Sequence, residues 1–104
     1  MERGEIWWAD LPPPSGRRPV LLLSRNEAYS VREFVLLSPL TTRSRGLPTE
    51  VQLGPEDGVG RTSVVNLDVI ITESRRLLQE RITALGEEKL RSVEAALKSA
   101  LGIE

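Results

Sequence analysis

Short runs of apolar and β-branched residues, separated by breaks rich in glycine and proline, occupy most of the chain. Residues 4–11 (GEIWWADL) predict a first strand, and residues 20–24 (VLLLS) are almost wholly apolar, as in a strand buried on both faces. The segment 12–16 between them predicts a loop, because its prolines lack the amide hydrogen that a continuing strand needs. Further strands are predicted at residues 33–40, 49–53 and 78–85.

The stretch 62–72 (TSVVNLDVIIT) is β-branched and apolar except at Asn66 and Asp68. Two short strands that bend at these polar residues would explain the interruption. The glycine-rich segment 54–60 before this stretch predicts a turn, and a brief turn is expected again at residues 73–76.

The spacing of apolar residues changes near the C-terminus. Aliphatic residues recur there at steps of three and four and predict one apolar helical face, made by Leu90, Val93, Leu97 and Leu101. Glu87 and Glu88 suit the start of this helix, Lys98 its last turn and Gly102 its end. The sequence therefore predicts a mainly β fold with a C-terminal helix, in which short antiparallel strands form a barrel-like sheet. We expect residues 1–104 to form a single domain.

The composition limits the available chemistry. The chain has no cysteine, which excludes disulfides and thiolate zinc sites, and no histidine, the usual acid or base near neutral pH. The acidic residues show no metal-ligand spacing, so neither a metal nor another cofactor is expected. Catalysis would have to use carboxylates, arginines or hydroxyls.

The positive charge is concentrated in one part of the chain. The formal net charge is -1, yet residues 15–45 contain six arginines and only two acidic residues. This pattern favours a local anion site on a weakly acidic protein, although arginines that merely decorate exposed loops would give the same pattern. The sequence shows no signal-peptide pattern and no apolar stretch near the ~20 residues of a membrane span, so we expect a cytoplasmic protein without membrane contact.

Two segments beside buried strands are candidates for anion binding. Arg18 lies in the predicted loop 16–19, directly before a proline and a buried strand, so its backbone should be rigidly held. A guanidinium fixed in this way can bind a phosphate through two hydrogen bonds. Thr41 ends the next strand, before the polar loop 42–46, and its hydroxyl could bond the same anion. From the residues alone, the conclusion is a small β-barrel with an arginine-rich loop region.

Several motifs resemble those of one family. Residues 3–7 (RGEIW), 10–11 (DL) and 16–21 (GRRPVL) resemble the opening signature of the MazF/PemK toxins. The resemblance continues in order through residues 39–41 (PLT), 47–51 (LPTEV), 63–68 (SVVNLD), Thr72 and residues 81–82 (RI). It therefore extends over essentially the whole chain.

The resemblance implies an SH3-like barrel that forms a homodimer and serves as the toxin of a type II toxin–antitoxin system. It implies a metal-independent endoribonuclease that cuts single-stranded RNA at short base motifs and leaves 2′,3′-cyclic phosphate and 5′-OH ends. It also implies a cognate antitoxin whose tail occupies the RNA groove. Two alternatives remain at this point: a non-enzymatic toxin of the same fold acting on a protein such as gyrase, and a catalytically silent RNA-binding barrel.

By the same resemblance, Arg18 and Thr41 match the family's catalytic arginine and threonine. Asp68 matches an acidic position that some members use as a base or base-contacting group. The predicted RNA contacts are Arg17, Thr42, Arg43, Arg45 and Asn66. Ile71 departs from the pattern, because many members carry an arginine there. Trp7 and Trp8 should point to opposite faces of the first strand, where core or interface positions are favoured over a base-stacking role.

Overall fold

The computed structural model describes residues 1–104. Seven strands form one curled sheet, and two helices accompany it, the second of them near the C-terminus. The strands are β1 (Glu5–Leu11), β2 (Gly16–Leu22), β3 (Phe34–Thr41), β4 (Glu50–Leu53), β5 (Ser63–Asn66), β6 (Ile71–Ser74) and β7 (Leu78–Ala84). The helices are α1 (Ala28–Val31) and α2 (Glu87–Leu101), and single 3₁₀ turns lie at Pro55–Asp57 and Arg75–Leu77. Neither helix is long and apolar enough to cross a membrane.

Every strand pair is antiparallel, and the strands follow the order β4-β5-β3-β2-β1-β7. β3 is the centre of this arrangement, because β6 pairs with its first half and β5 with its last two residues. The predicted mainly β fold with a C-terminal helix is confirmed, as is the bend between β5 and β6 near Asn66.

Apolar side chains pack on both faces of the central strands. Leu21 of β2 belongs to one core cluster, while Val20 and Leu22 belong to the other. Since strand side chains alternate between faces, both faces of β2 are covered here. This explains why residues 20–24 lack the alternation of a half-exposed strand: all five are buried.

Helix α2 covers the first cluster with Val93 and Ala96, while Leu90 and Leu97 are only partly buried. The helix ends as predicted, because Gly102 adopts the left-handed conformation that glycine accepts without strain. The expectation for Leu101 was wrong: the residue is 60% exposed and packs in neither core cluster.

The predicted boundaries were wrong in three places. Residues 16–19 are not a loop but the start of β2, because Gly16 and Arg17 pair with the end of β1 and close a hairpin. Residues 73–74 continue β6 rather than turning. Helix α1 was not predicted, since its four residues are too few to show a period.

Tyr29 of α1 offers a test of core packing. Its ring is buried, and its hydroxyl makes no hydrogen bond of normal geometry although it lies beside Ser24. Burial raises the pKa of Tyr29 to about 12, so the phenol stays neutral. Tyr29→Phe removes an unpaired polar atom and should leave the free energy of unfolding unchanged or raise it by ~1 kcal/mol. Denaturant unfolding measures this. Leu37→Ala in the same core is the control, with an expected loss of roughly 2–5 kcal/mol. A loss of similar size in Tyr29→Phe would show that the hydroxyl is bonded.

Candidate functional site

A cavity opens where β2 and β3 separate. The two strands pair only between residues 20–22 and residues 37–39. Beyond this point, residues 40–41 of β3 pair with β5 on the opposite edge, and residues 16–19 of β2 pair with β1 alone. The facing edges of β2 and β3 are therefore free, and the space between them is open to a ligand.

This geometry brings Arg18 and Thr41 to one site. Continuing the register from the Val20–Pro39 pair by two residues places Arg18 opposite Thr41. Both residues line the cavity. The sequence prediction that two residues 23 positions apart lie beside one bound anion is thus compatible with their positions in the sheet.

The cavity has a volume of about 620 Å³ and a positively charged lining. Three of its twelve lining residues are arginines and none is acidic. The lining consists of Trp8, Arg17, Arg18, Pro19, Leu40, Thr41, Thr42, Val59, Gly60, Arg61, Ser63 and Ile82. A concave site with several cations and no carboxylate favours an anionic ligand.

The Arg18 guanidinium is available to such a ligand. Its Nε atom is buried and has no hydrogen-bond partner within the chain. A buried donor without an acceptor costs about 1–3 kcal/mol, and a small rotation of the side chain would bring this donor to an anion in the cavity. The backbone is fixed by the ladder to Ala9 of β1 and by the proline that follows. The Arg18 backbone is therefore fixed before any anion enters the cavity.

Thr41 can donate a hydrogen bond into the same space. Its Oγ1 accepts the backbone N–H of Arg43 at 3.2 Å. Because that contact uses a lone pair, the hydroxyl hydrogen stays free for an oxygen of the ligand. The bond also fixes the direction in which the chain leaves β3.

The loop after β3 is held by a single carboxylate. Glu50 accepts bonds from the backbone N–H of Arg45 at 3.0 Å, the backbone N–H of Leu47 at 3.3 Å and the hydroxyl of Ser44 at 3.2 Å. These bonds, that from Arg45 above all, hold the pKa of Glu50 below its ordinary value. The side chains of Arg43 and Arg45 stay exposed and form no ion pair.

Arg17 lies on the rim of the cavity in a different environment from Arg18. Its guanidinium carbon is 4.2 Å from the centroid of the Trp8 ring, and its Nε donates to Oε1 of Gln79 at 3.0 Å. Trp8 thus faces the cavity, whereas Trp7 packs partly against the second core cluster and donates to Glu5. The prediction that the two rings point to opposite faces is confirmed.

Arg61 is a lining residue that sequence reasoning missed. It follows Val59, which is buried in the first core cluster, and Ser63 Oγ bonds its carbonyl oxygen at 3.0 Å. Both anchors hold the exposed Arg61 side chain at the cavity mouth. The only available signal was a cation after the turn 54–60, which no motif distinguishes from a surface charge.

Asp68 and Asn66 do not line the cavity. β5 runs away from it, from Ser63 at the cavity wall to Asn66 at the far end. The buried Thr49 hydroxyl lies 2.9 Å from both Asp68 Oδ2 and Asn66 Oδ1, so the two residues form part of a turn network. Ile71, in the place of the common family arginine, packs against the second core cluster.

No group of three or more histidine, cysteine, aspartate or glutamate residues is placed to hold a metal ion. The cavity instead combines fixed guanidinium groups with a free hydroxyl, an arrangement that stabilises negative charge on a phosphate.

Comparison with known proteins agrees with this geometry. Residues 2–101 match the family described as the PemK-like, MazF-like toxin of type II toxin–antitoxin systems. The chain belongs to this family.

Two relatives and one complex illustrate the similarity. The chain is 40% identical over 100 residues to the probable endoribonuclease MazF5 of Mycobacterium tuberculosis, covering 95% of this chain and 91% of the relative. It resembles the solved structure of M. tuberculosis toxin MazF-mt6 with a TM-score of 0.88 at 30% identity, covering 96% and 98% of the two chains. A mycobacterial endoribonuclease solved with its cognate antitoxin gives a TM-score of 0.89 at 31% identity, covering 100% and 97%.

Glu50→Ala tests the loop of this MazF-like site. Without the carboxylate the amides of Arg45 and Leu47 lose their acceptor, so trypsin should cut after Arg43 and Arg45 several-fold faster at neutral pH. Because the folded-state pKa is lowered, the wild-type contribution is complete above the ordinary glutamate pKa and is lost as the pH falls through the lowered value. Glu56→Ala, at an exposed carboxylate, is the control. Equal cutting rates in all three proteins would exclude the anchoring role.

Proposed function

We propose that this chain is the toxin of a type II toxin–antitoxin system and acts as a metal-independent endoribonuclease on single-stranded RNA. The observation that carries the proposal is the unpartnered, buried Nε of Arg18 in an acid-free cavity that Thr41 also lines. Family membership and the similarity to probable endoribonucleases support the same activity.

The reaction uses the RNA's own 2′-hydroxyl. Its oxygen attacks the adjacent phosphorus, the O2′–P bond forms, and the P–O5′ bond breaks. The 2′-hydroxyl proton leaves to solvent and O5′ takes up a proton, so the ends are a 2′,3′-cyclic phosphate and a 5′-OH. The need for a 2′-hydroxyl selects RNA over DNA.

Arg18 and Thr41 act by stabilising charge. The transition state gathers negative charge on the phosphate oxygens, and both groups donate hydrogen bonds toward that position. Neither serves as a base, because a charged guanidinium has no lone pair that could accept a proton and a neutral hydroxyl oxygen is a very weak proton acceptor. Asp68 stays a proposed base or base-contacting group only by family resemblance, since its carboxylate bonds Thr49 outside the cavity.

The remaining predicted contacts guide the RNA backbone. Thr42 lines the cavity, and Arg43 and Arg45 extend the positive surface along the loop held by Glu50. Asn66 makes no contribution to the cavity lining, and its proposed contact with RNA is the least supported by the geometry.

The proposal includes two protein partners. A cognate antitoxin fits the acid-free cavity through an acidic segment that competes with RNA, and a similar endoribonuclease was solved with its cognate antitoxin. A second copy of the chain completes a homodimer, and the exposed apolar side chains of Val31, Phe34 and Leu36 offer one face for it. We place the toxin in the cytoplasm, where its RNA substrate is.

The central test is cleavage of a defined single-stranded RNA in the presence of EDTA. The wild type should cut it, while Arg18→Ala and Thr41→Val should each lower kcat about a hundredfold or more, as for loss of an oxyanion donor. Arg18→Lys should restore little, because an ammonium cannot reproduce the planar fork.

Each variant must fold, as judged by circular dichroism. Full activity in a folded Arg18→Ala protein, or cleavage only with added metal, would contradict the mechanism. Binding without cutting in the wild type would indicate a silent RNA-binding barrel.

Arg61 gives a second test through the salt dependence of binding. A guanidinium at the cavity mouth should contact one RNA phosphate, so Arg61→Gln should raise KM with little change in kcat. The slope of log affinity against log salt should fall by about 0.7 for one lost contact on a single strand. Arg91→Gln on α2, at a guanidinium 71% exposed and outside the cavity, is the matched control. An unchanged slope in Arg61→Gln would remove Arg61 from the binding site.

A further inference from the structure

We propose that Trp8, Arg17 and Gln79 form a platform on which one nucleobase of the substrate stacks, and that this platform contributes to sequence preference. We refer to these three residues as the stacking platform. The inference rests on the proposed function, since it places a base next to the phosphate bound at Arg18. It gives Arg17 a different role from that of Arg18.

The first step is the contact between Arg17 and Trp8. The guanidinium carbon lies 4.2 Å from the ring centroid, within the range of a cation–π interaction. Trp8 pairs with Pro19 across the β1–β2 ladder, and Arg17 is two residues before that proline on the same face. Both side chains line the cavity, so this contact lies at its wall.

The second step is the fixing of Arg17 by Gln79. The register between β1 and β7 pairs Trp8 with Glu80 and Ala9 with Leu78, which leaves Gln79 as an extra residue in a bulge. Bulges redirect side chains and are common next to functional sites. Here Oε1 of Gln79 accepts the Arg17 Nε–H at 3.0 Å. An exposed arginine is thereby held at two points before any ligand arrives, which lowers the entropy lost on binding.

A second bulge supplies an apolar wall. Ile6 pairs with Thr83 and Trp7 with Arg81, so Ile82 is the extra residue, and Ile82 lines the cavity. Pro19 and Leu40 are also part of the lining. The cavity thus offers apolar surface beside the guanidinium, which suits the faces of an unpaired base and not a phosphate.

The third step separates the roles of the neighbouring arginines. Arg17 and Arg18 are adjacent on β2, so their side chains leave the strand in opposite directions, and both reach the cavity at the free edge of residues 16–19. Arg18 has an unpartnered Nε, whereas the Nε of Arg17 is already bonded and its guanidinium is covered by Trp8 on one side. The uncovered side of Arg17 is a π-stacking surface. Unpaired RNA bases stack on arginine planes and aromatic rings in this way.

The experiment measures binding rather than cleavage. The probes are fluorescent 2′-O-methyl RNA oligonucleotides, which cannot react, together with a set in which each position in turn is abasic. For the wild type, one abasic position should raise Kd about fivefold to a hundredfold more than the others, as expected for loss of one stacked base. Arg17→Lys keeps the charge and loses the plane, so it should raise the Kd of the intact RNA by a similar factor.

The decisive measurement combines Arg17→Lys with the abasic substitution in the RNA. In Arg17→Lys the abasic substitution at that position should have almost no further effect, because the stacking partner is already absent. Gln79→Ala should give an intermediate result, since Arg17 is no longer held, and it changes only an exposed side chain. Arg91→Lys, on α2 outside the cavity, is the control and should behave as the wild type.

The outcomes separate this inference from the proposed function. If the wild type cuts RNA but Arg17→Lys shows the same abasic profile as the wild type, the stacking platform is overturned and the nuclease remains. If the wild type cuts nothing yet shows the base-dependent profile that Arg17→Lys removes, the platform stands and the proposed activity fails. An RNA that binds with no abasic-sensitive position overturns the platform, whatever the cleavage result.

Discussion

The separation of β2 from β3 beyond the Val20–Pro39 pair is the constraint on which the rest of the site depends. Neither Pro19 nor Pro39 has an amide hydrogen to extend the ladder, and β5 bonds the last two residues of β3 on its other edge. The two strands still leave the same sheet in register, so Arg18 and Thr41 stay opposite one another across the gap.

The cavity is positively charged because acidic side chains of the chain bond groups that lie outside it. Glu94, Glu5 and Asp57 bond cations that lie outside the cavity, and Glu50 bonds backbone amides. The three cavity arginines are in none of the ion pairs. A chain of net charge -1 can therefore present a purely cationic cavity, and the overall charge gives no indication of it.

Local patterns predicted most of the strands through apolar and β-branched runs bounded by turn residues, and they predicted α2 through its apolar face and its glycine end. They also singled out Arg18 and Thr41 beside strand-forming runs, and both residues line the cavity. The bulges at Gln79 and Ile82 could not be predicted, since a bulge is defined by the partner strand and not by the residues within it. The cavity position of Arg61 depends on where Val59 and Ser63 are anchored, and the distance of Asp68 from the cavity depends on the direction of β5. These features depend on contacts between distant parts of the chain and leave no pattern in the local sequence.

Because successive side chains of β2 leave the strand in opposite directions, neighbouring residues of this strand can be changed separately. Arg18, the proposed phosphate contact, and Arg17, the proposed platform residue, are neighbours in sequence and both line the cavity, but their side chains leave β2 in opposite directions and lie in different environments. Arg18 depends on the central ladder and the core, whereas Arg17 depends on Trp8 and on an exposed bulge residue of β7. A change at Gln79 alters what holds Arg17 without disturbing the backbone that fixes Arg18. The proposed phosphate contact is thus fixed by the β1–β2 ladder and the proposed base contact by an exposed bulge residue, so base preference can vary while Arg18 and Thr41 stay in place.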